Sequence, residues 1–371
     1  MKITGVDIFK FDIKMVHAIR VPIGILDAAH NVAIRINTDG GICGWGEASP
    51  FEPITGDTQR FSLELAKKLA ASIVGSDPLA LAERMQTLRP IALGHPSILS
   101  AFDTALYDIA GKAEGVPVYE LLGGTNRELR SDFTVGMQDT VEETLAIVDE
   151  GFANGFDAVK LKVGRPGLED VEFVTAVREH CEPDTLVKID SNQGWDYETA
   201  IANLHAMEKL NIQYSEQPVV ASDYASLKRL RENSTIPICA DESVFDDNDA
   251  AELVSTESVD YLNIKLGKSG GIETGLKIDA IAEAAGKKCM VGCFAESRMG
   301  LTAAAHLAIA RPNICFIDLD SAYDLKIDPV VGGGSFDEKD GGRIYISDEP
   351  GLGAALNENF IENCHWATVH L

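Results

Sequence analysis

Apolar and polar positions alternate with a period of two over 2–13, 31–37 and 42–47, which predicts three strands at the start of the chain. The second and third are joined by Thr38-Asp39-Gly40-Gly41, a hairpin turn signal. Between the first two, His17 to His30 reads as a loop of small and apolar residues. A second loop, Gly46 to Asp57, is punctuated by Pro and Gly, and loops this long in a compact domain are often functional. Apolar positions then recur every three or four residues near 58–75, 79–88 and 96–115, predicting helices. Antiparallel strands followed by helices make an α+β unit.

After Gly123-Gly124 the pattern changes, and short strand-like runs alternate with amphipathic segments. The runs are Asp132–Val135, Ala158–Val163, Val187–Asn192, Ile212–Gln217, Pro237–Glu242, Val259–Leu266, Cys289–Phe294 and Cys315–Asp320. Eight such runs with seven intervening helices close most simply into a parallel barrel, here (β/α)7β, since no full helix follows the eighth. The expected organisation is an α+β capping domain over 1–125, a modified TIM barrel over 126–328, and a segment 329–371 that returns to the cap. That last segment contains a Gly-rich turn and a short strand, Arg343–Ile346.

Catalytic groups of such barrels sit at the C-terminal ends of the strands, and the polar residues of this chain fall there. In Ala158–Gly164, Lys160 and Lys162 share one strand face, about 7 Å apart. Two buried lysines are costly unless a carboxylate, a metal-bound anion or a substrate meets them. Asp190, Glu216 and Asp241 follow at spacings of 26 and 25 residues, one βα unit each, so neighbouring strands bring them together. Three clustered carboxylates do not all stay ionised without a cation, and an all-oxygen set suits Mg²⁺. Lys265 lies 24 residues beyond Asp241, on the sixth strand. The second and sixth strands face each other, so Lys162 and Lys265 flank one carbon, one amine removing a proton and the other delivering one to the opposite face. Neighbouring cations, Lys160 and the metal, are expected to lower the lysine pKa into a useful range, and the metal to stabilise an enolate. Lys268, in Gly267-Lys268-Ser269-Gly270-Gly271, reads as structural or anion-facing. Asp318 and Asp320, on the eighth strand, lie across the barrel from the metal ligands and suit a substrate ammonium group.

Composition narrows the partners. The net charge of −26 argues against nucleic acid and anionic membranes, which need basic surface. No run reaches transmembrane length and no signal core opens the chain, so a cytoplasmic location is expected. The seven cysteines are odd in number and form no CxxC pair, which reads as reduced core residues.

Together, Lys160-Leu161-Lys162, Asp190, Glu216, Asp241 and Lys265 resemble the enolase superfamily, in its muconate-lactonizing-enzyme-like subgroup, over essentially the whole chain. The Asp318-Leu319-Asp320 motif is similar to that of the dipeptide epimerases, the L-Ala-D/L-Glu epimerase-like members. Ile54–Asp57, Asp132–Val135 and Val291–Ser297 are similar as well. The resemblance implies a Mg²⁺-dependent epimerase that inverts the Cα of the C-terminal residue of L-Ala-L-Xaa-type dipeptides. Lys162 and Lys265 are then the acid/base pair, Lys160 orients the carboxylate, and Asp190, Glu216 and Asp241 hold Mg²⁺. Thr134, Asn192, Cys293 and Ala295 line the dipeptide site, and Asp318 and Asp320 bind its α-ammonium. The partner is a small dipeptide, and a homo-oligomer is expected. L-Ala-L-Glu members carry an arginine in the first cap loop, where an ungapped reading of this chain places Gly24. That favours an apolar second residue, with Arg20 nearby as the substitute cation. Two other readings share most of these residues: an N-acylamino acid racemase, o-succinylbenzoate synthase or cycloisomerase, and a non-catalytic ligand-binding barrel.

Overall fold

The opening alternation folds into one antiparallel sheet in the computed structural model, which describes residues 1–336 and 340–370. Of the C-terminal segment, residues 337–339 and 371 therefore lie outside the described residues. Strand β1 (Ile3–Val21) pairs with β2 (Gly24–Thr38), and β2 with β3 (Cys43–Ala48). The stretch His17–His30 is thus not a loop, as its composition suggests, but the far half of a long hairpin that turns at Pro22-Ile23. Beyond an irregularity between Lys14 and Ile19, Ile19 pairs with Leu26 and Val21 with Gly24. The turn lacks an Asn-Gly or Asp-Gly pair, so nothing local announces it.

Helices α1 (Gln59–Ile73) and α3 (Pro96–Glu114) pack on this sheet, and α2 (Leu81–Ile91) packs against both of them. The Thr58 side chain accepts from Phe61 N at 3.2 Å to start α1, and Gly115, at φ +75°, ends α3. Helix α3 lies directly on β3 because Gly44 and Gly46 carry no side chains there. A Cβ at either would sit about 2 Å from the carbonyl oxygens of Ala105 and Ala101, at 2.0 and 1.9 Å.

The second half forms an eight-stranded parallel sheet in sequence order. Its strands are β4 (Phe133–Val135), β5 (Ala158–Lys162), β6 (Leu186–Asp190), β7 (Ile212–Glu216), β8 (Ile238–Ala240), β9 (Tyr261–Ile264), β10 (Lys288–Val291) and β11 (Ile314–Ile317). Asp132 N donates to Ile317 O at 3.1 Å, and Leu319 N to Ser131 Oγ at 2.8 Å, which closes the barrel between first and last strands. The crossovers carry α4 (Val141–Ala153), α5 (Glu169–His180), α6 (Tyr197–Met207), α7 (Tyr224–Asn233), α8 (Asp247–Ser255), α9 (Ile272–Ala284) and α10 (Arg298–Ala310). After β11 there is only a short 3-10 turn, Ser321–Asp324. Several strands stop short of their apolar runs: Asp241, Asn192 and Lys265 lie just past strand ends. Asn192 and Gln217 take positive φ there, +38° and +35°, turning the chain out over the mouth.

The tail pairs Arg343–Tyr345 with Leu129–Arg130 and then reaches the other domain, where β12 (His365–His370) adds to β1. The first sheet therefore runs β12-β1-β2-β3. Among the described residues no helix is long and apolar enough to cross a membrane. The cysteines are free; Cys181, Cys239, Cys289 and Cys364 are buried as expected, but Cys43 and Cys293 are half-buried and Cys315 is exposed at the N-terminal end of the barrel.

Candidate active site

The C-terminal mouth of the barrel holds a cavity of about 50 Å³. Its floor is Lys162, Lys265, Asn192, Thr134, Cys293, Asp318 and Asp320. Its roof comes from the hairpin (Ile19, Val21, Leu26) and from the loop after β3 (Phe51, Ile54). Lys162 closes β5 and Lys265 follows β9, four strands round the barrel, so the two amines enter from opposite walls. A larger hollow, about 1020 Å³, opens at the other end around Arg130, Phe316 and Lys188. Its inner lysine is already satisfied, with Lys188 Nζ donating to Asp132 Oδ2 at 2.6 Å, and barrel chemistry is sited at the opposite end.

Beneath the cavity lies a buried charge network. Lys160 has no exposed surface. Its Nζ meets Asp318 Oδ2 at 2.6 Å, Glu216 Oε2 at 2.9 Å and Asp190 Oδ2 at 3.3 Å. Burial alone would lower its pKa, but Asp318, Glu216 and Asp190 hold it well above the usual lysine range. Lys162 Nζ donates to Asp190 Oδ2 at 2.6 Å, and Lys265 Nζ to Asp241 Oδ2 at 2.8 Å, 4.9 Å from the Phe294 ring. Gly292 leaves room for this amine, since a Cβ there would lie 2.9 Å from Lys265 Cε. Of the two cations expected to depress the acid/base lysines, Lys160 does lower Lys265 but does not decide its state. Burial does depress it, but Asp241, Glu216 and Asp190 outweigh both burial and Lys160, and the ammonium form is strongly favoured.

The acids divide by environment. Burial would raise Asp190, but Lys162 and Lys160 pull it below the usual carboxylate range. Asp241 is held low by Lys265 and Lys268 against the same burial. Glu216 is pushed up to about 7 by burial and by Asp190. Two buried oxygens of this set lack a well-formed hydrogen bond and have only a lysine amine beside them: Glu216 Oε2, 2.9 Å from Lys160 Nζ, and Asp241 Oδ1, 3.3 Å from Lys268 Nζ. Carboxylate oxygens on adjacent strands with spare lone pairs are donors that fit a hard divalent cation. Each acid is at present tied to a lysine. The tightest group of acid and thiol donors among the described residues is instead Cys293, Asp318 and Asp320, all within 4.8 Å of one another.

Asp318 and Asp320 are less free than a solvated strand-end pair. Burial raises Asp318, but Lys160 and Lys162 bring it down to about 2. Asp320 accepts from Thr134 N at 2.6 Å, and burial together with Asp318 raises it well above the ordinary value. Lys160 itself does not line the cavity, so its place is under the floor rather than at the substrate surface. Ala295 is also outside the lining. Its carbonyl accepts from Asn31 Nδ2 at 2.8 Å, and its N–H donates to Ser49 Oγ at 3.2 Å, both cap residues. Gly24 shares the hairpin face of Leu26 but sits nearer the turn, beside Phe51 and Pro53, and contributes no lining atoms. Arg20 points elsewhere: its guanidinium pairs with Asp139 at 2.6 Å. Lys268 proves structural, fully buried and donating to the carbonyls of Asp241, Val244 and Asn263 at 3.0, 2.6 and 2.7 Å.

Sequence reasoning passed over two polar members. Asn263 Nδ2 donates to Glu216 Oε1 at 2.7 Å, and its place two residues before Lys265 on the same strand face was the available signal. Glu242 follows Asp241, accepts from Asn192 Nδ2 at 3.1 Å, and is raised to about 8 by burial and by Asp241. The apolar roof had no local signal, because it depends on hairpin register.

Residues 141–360 match the enolase C-terminal domain-like family, and residues 4–123 match the mandelate racemase/muconate lactonizing enzyme N-terminal domain. A D-Ala-D/L-Ala epimerase of Cytophaga hutchinsonii is 37% identical over 362 residues, 97% of this chain and 98% of that protein. A hydrophobic dipeptide epimerase of Enterococcus faecalis is 36% identical over 354 residues, 95% of this chain and 99% of that one. The crystal structure of the Cytophaga hutchinsonii dipeptide epimerase complexed with Mg and D-Ala-L-Val superposes with a TM-score of 0.95 at 36% identity, covering 100% of this chain and 99% of that one.

Proposed function

The chain belongs to the mandelate racemase/muconate lactonizing enzyme family of the enolase superfamily, and on that premise we propose that it is a Mg²⁺-dependent dipeptide epimerase. It inverts the Cα of the C-terminal residue of L-Ala-L-Xaa-type dipeptides by two-base proton transfer. The observation that carries this reading is the placing of two amines, Lys162 and Lys265, on opposite walls of one cavity whose third wall is Asp318 and Asp320. In the unprotonated form one amine takes the Cα proton, and the other, as ammonium, returns a proton to the opposite face. Asp318 and Asp320 hold the α-ammonium, with Cys293 and Thr134 beside them. Asp190, Glu216 and Asp241 would hold Mg²⁺, which would supply positive charge next to the substrate carboxylate as the Cα proton leaves.

The roof supports an apolar C-terminal side chain. Ile19, Val21, Leu26, Phe51 and Ile54 surround it, and no arginine stands among the described lining residues. An acidic side chain there would be desolvated without a partner.

The test is a dipeptide library incubated in D₂O with Mg²⁺. Deuterium at the C-terminal Cα of L-Ala-L-Val or L-Ala-L-Leu, in excess over L-Ala-L-Glu and abolished by chelation, is the expected result. No deuterium at any Cα overturns the reading. Asp320→Asn separates dipeptides from N-acylated substrates, which lack the ammonium group: dipeptide turnover should fall mainly through a raised KM.

A further inference from the structure

Lys265 is not a strand residue. It follows β9 and opens a single helical turn, Leu266–Ser269, whose N–H groups at Lys268 and Ser269 bond back to the Lys265 carbonyl at 3.0 and 2.9 Å. Two glycines then lead into α9, whose N-cap residue, Gly271, has no side chain to offer. The missing cap comes from the other domain. Asp103, fully buried on α3, extends Oδ2 to Ile272 N at 2.5 Å and to Glu273 N at 3.4 Å. Gly271 makes this approach feasible. It takes φ +117°, and a Cβ there would lie 2.2 Å from Asp103 Oδ2. Asp103 Oδ1 accepts no hydrogen bond, so the carboxylate is committed to the helix end. Arg89 of α2 braces the same turn through Glu273 at 2.9 Å and Thr274 at 3.2 Å.

The device recurs at the next helix. Glu47 on β3 accepts from Ser297 N at 2.9 Å and Gly300 N at 2.9 Å, at the start of α10. The two capped helices follow the segments that carry Lys265 and Cys293. A buried carboxylate at a helix N-terminus satisfies orphan N–H groups and complements the dipole.

We propose that Asp103 is a positioning residue for the reaction: from the capping domain it clamps the start of α9 and so sets the reach of Lys265, which opens the short turn leading into that helix. This rests on the reading of Lys265 as one of two acid/base groups. A misplacement near 1 Å at a reacting group costs about 100-fold in rate.

The experiment measures Cα deuterium exchange separately from each epimer of one dipeptide, L-Ala-L-Val and L-Ala-D-Val, for wild type, Lys265→Ala, Asp103→Ala and Asp103→Asn. Lys265→Ala should abolish exchange from one epimer only. Asp103→Ala should slow exchange from that same epimer by about 10- to 100-fold, leave the other within about threefold and leave KM nearly unchanged. Asp103→Asn, which keeps an acceptor oxygen, should recover most of the loss; if the alanine variant does not fold, Asp103→Ser, whose side chain is shorter, replaces it and should show the same one-sided loss. Equal loss from both epimers in the folded alanine or serine variant, or no loss from either, overturns the role of Asp103 while leaving the two-base reading intact. If Lys265→Ala itself spares both epimers, the two-base reading fails and this proposal with it.

Discussion

On the floor of the cavity every lysine is tied to an acid: Lys162 to Asp190, Lys265 to Asp241, and Lys160 beneath them to Asp190, Glu216 and Asp318. On the roof, Ile19, Val21, Leu26, Phe51 and Ile54 offer carbon alone. The floor comes from strand ends of the barrel, where each residue is held by its neighbours' register. The roof comes from a hairpin and a loop of the cap, where side chains can be exchanged without disturbing a charge network. On the proposed function, this difference would put reactivity in one domain and selectivity in the other. It predicts that floor substitutions cost orders of magnitude and roof substitutions redirect.

The largest effect expected is from the floor amines. Lys162→Ala or Lys265→Ala should each lower epimerisation by at least about 10³-fold, read by polarimetry or chiral chromatography. A loss under tenfold in both would break the contrast. Next is Lys160→Met, which leaves Asp190, Glu216 and Asp318 buried without their shared cation. The expected destabilisation is about 3 kcal/mol in urea unfolding with chelator present, partly restored by Mg²⁺.

The seam between the domains gives a smaller effect with a defined sign. His306 on α10 accepts Tyr119 N–H at Nδ1, 3.1 Å, and its Nε2 faces Leu352 O at 3.3 Å, so it is buried as the neutral Nε2–H tautomer. Burial lowers its pKa to about 4, only partly opposed by the Leu352 carbonyl. A base with a folded pKa below its unfolded value of about 6.5 gives stability present above that value and lost as pH falls toward 4. Between pH 7 and pH 5 its share of the loss is about 2 kcal/mol, and His306→Asn should lose that much less than wild type over the same interval.

The smallest effect sharpens the roof. A Cβ at Gly24 would meet Phe51 Cζ at 3.6 Å, an ordinary contact, so a longer side chain is admissible on this face. Gly24→Arg should shift the kcat/KM ratio of L-Ala-L-Glu over L-Ala-L-Val upward by about tenfold, the worth of one charge-assisted hydrogen bond. The Cα exchange itself should persist.

The same division explains what the sequence discloses. Asp190, Glu216, Asp241 and Lys265 were legible because a βα unit has a nearly constant length, so regular spacing along the chain becomes adjacency in the barrel. Lys160 and Lys162 were legible because a strand's period of two puts them on one face. The roof was not, because a 19-residue strand with an interrupted register carries no local sign of where it folds back. Nor was the Asp103 cap, which joins residues 169 positions apart and looks, in sequence, like any acid in an amphipathic helix. The direction at Lys265 was not legible for another reason: counting charges by strand order missed that its amine lies against the Asp241 carboxylate, at 2.8 Å.

The pairing of β12 with β1 has a consequence for synthesis. Residues 3–21 leave the ribosome well before residues 365–370, and one side of their sheet stays open until those follow. Meanwhile the long β1–β2 ribbon presents a bare edge, a natural target for chaperones and for mispairing between nascent copies. Ribosome stalling between the barrel and that final strand should therefore yield a closed barrel under an unfinished lid, sensitive to protease at the hairpin.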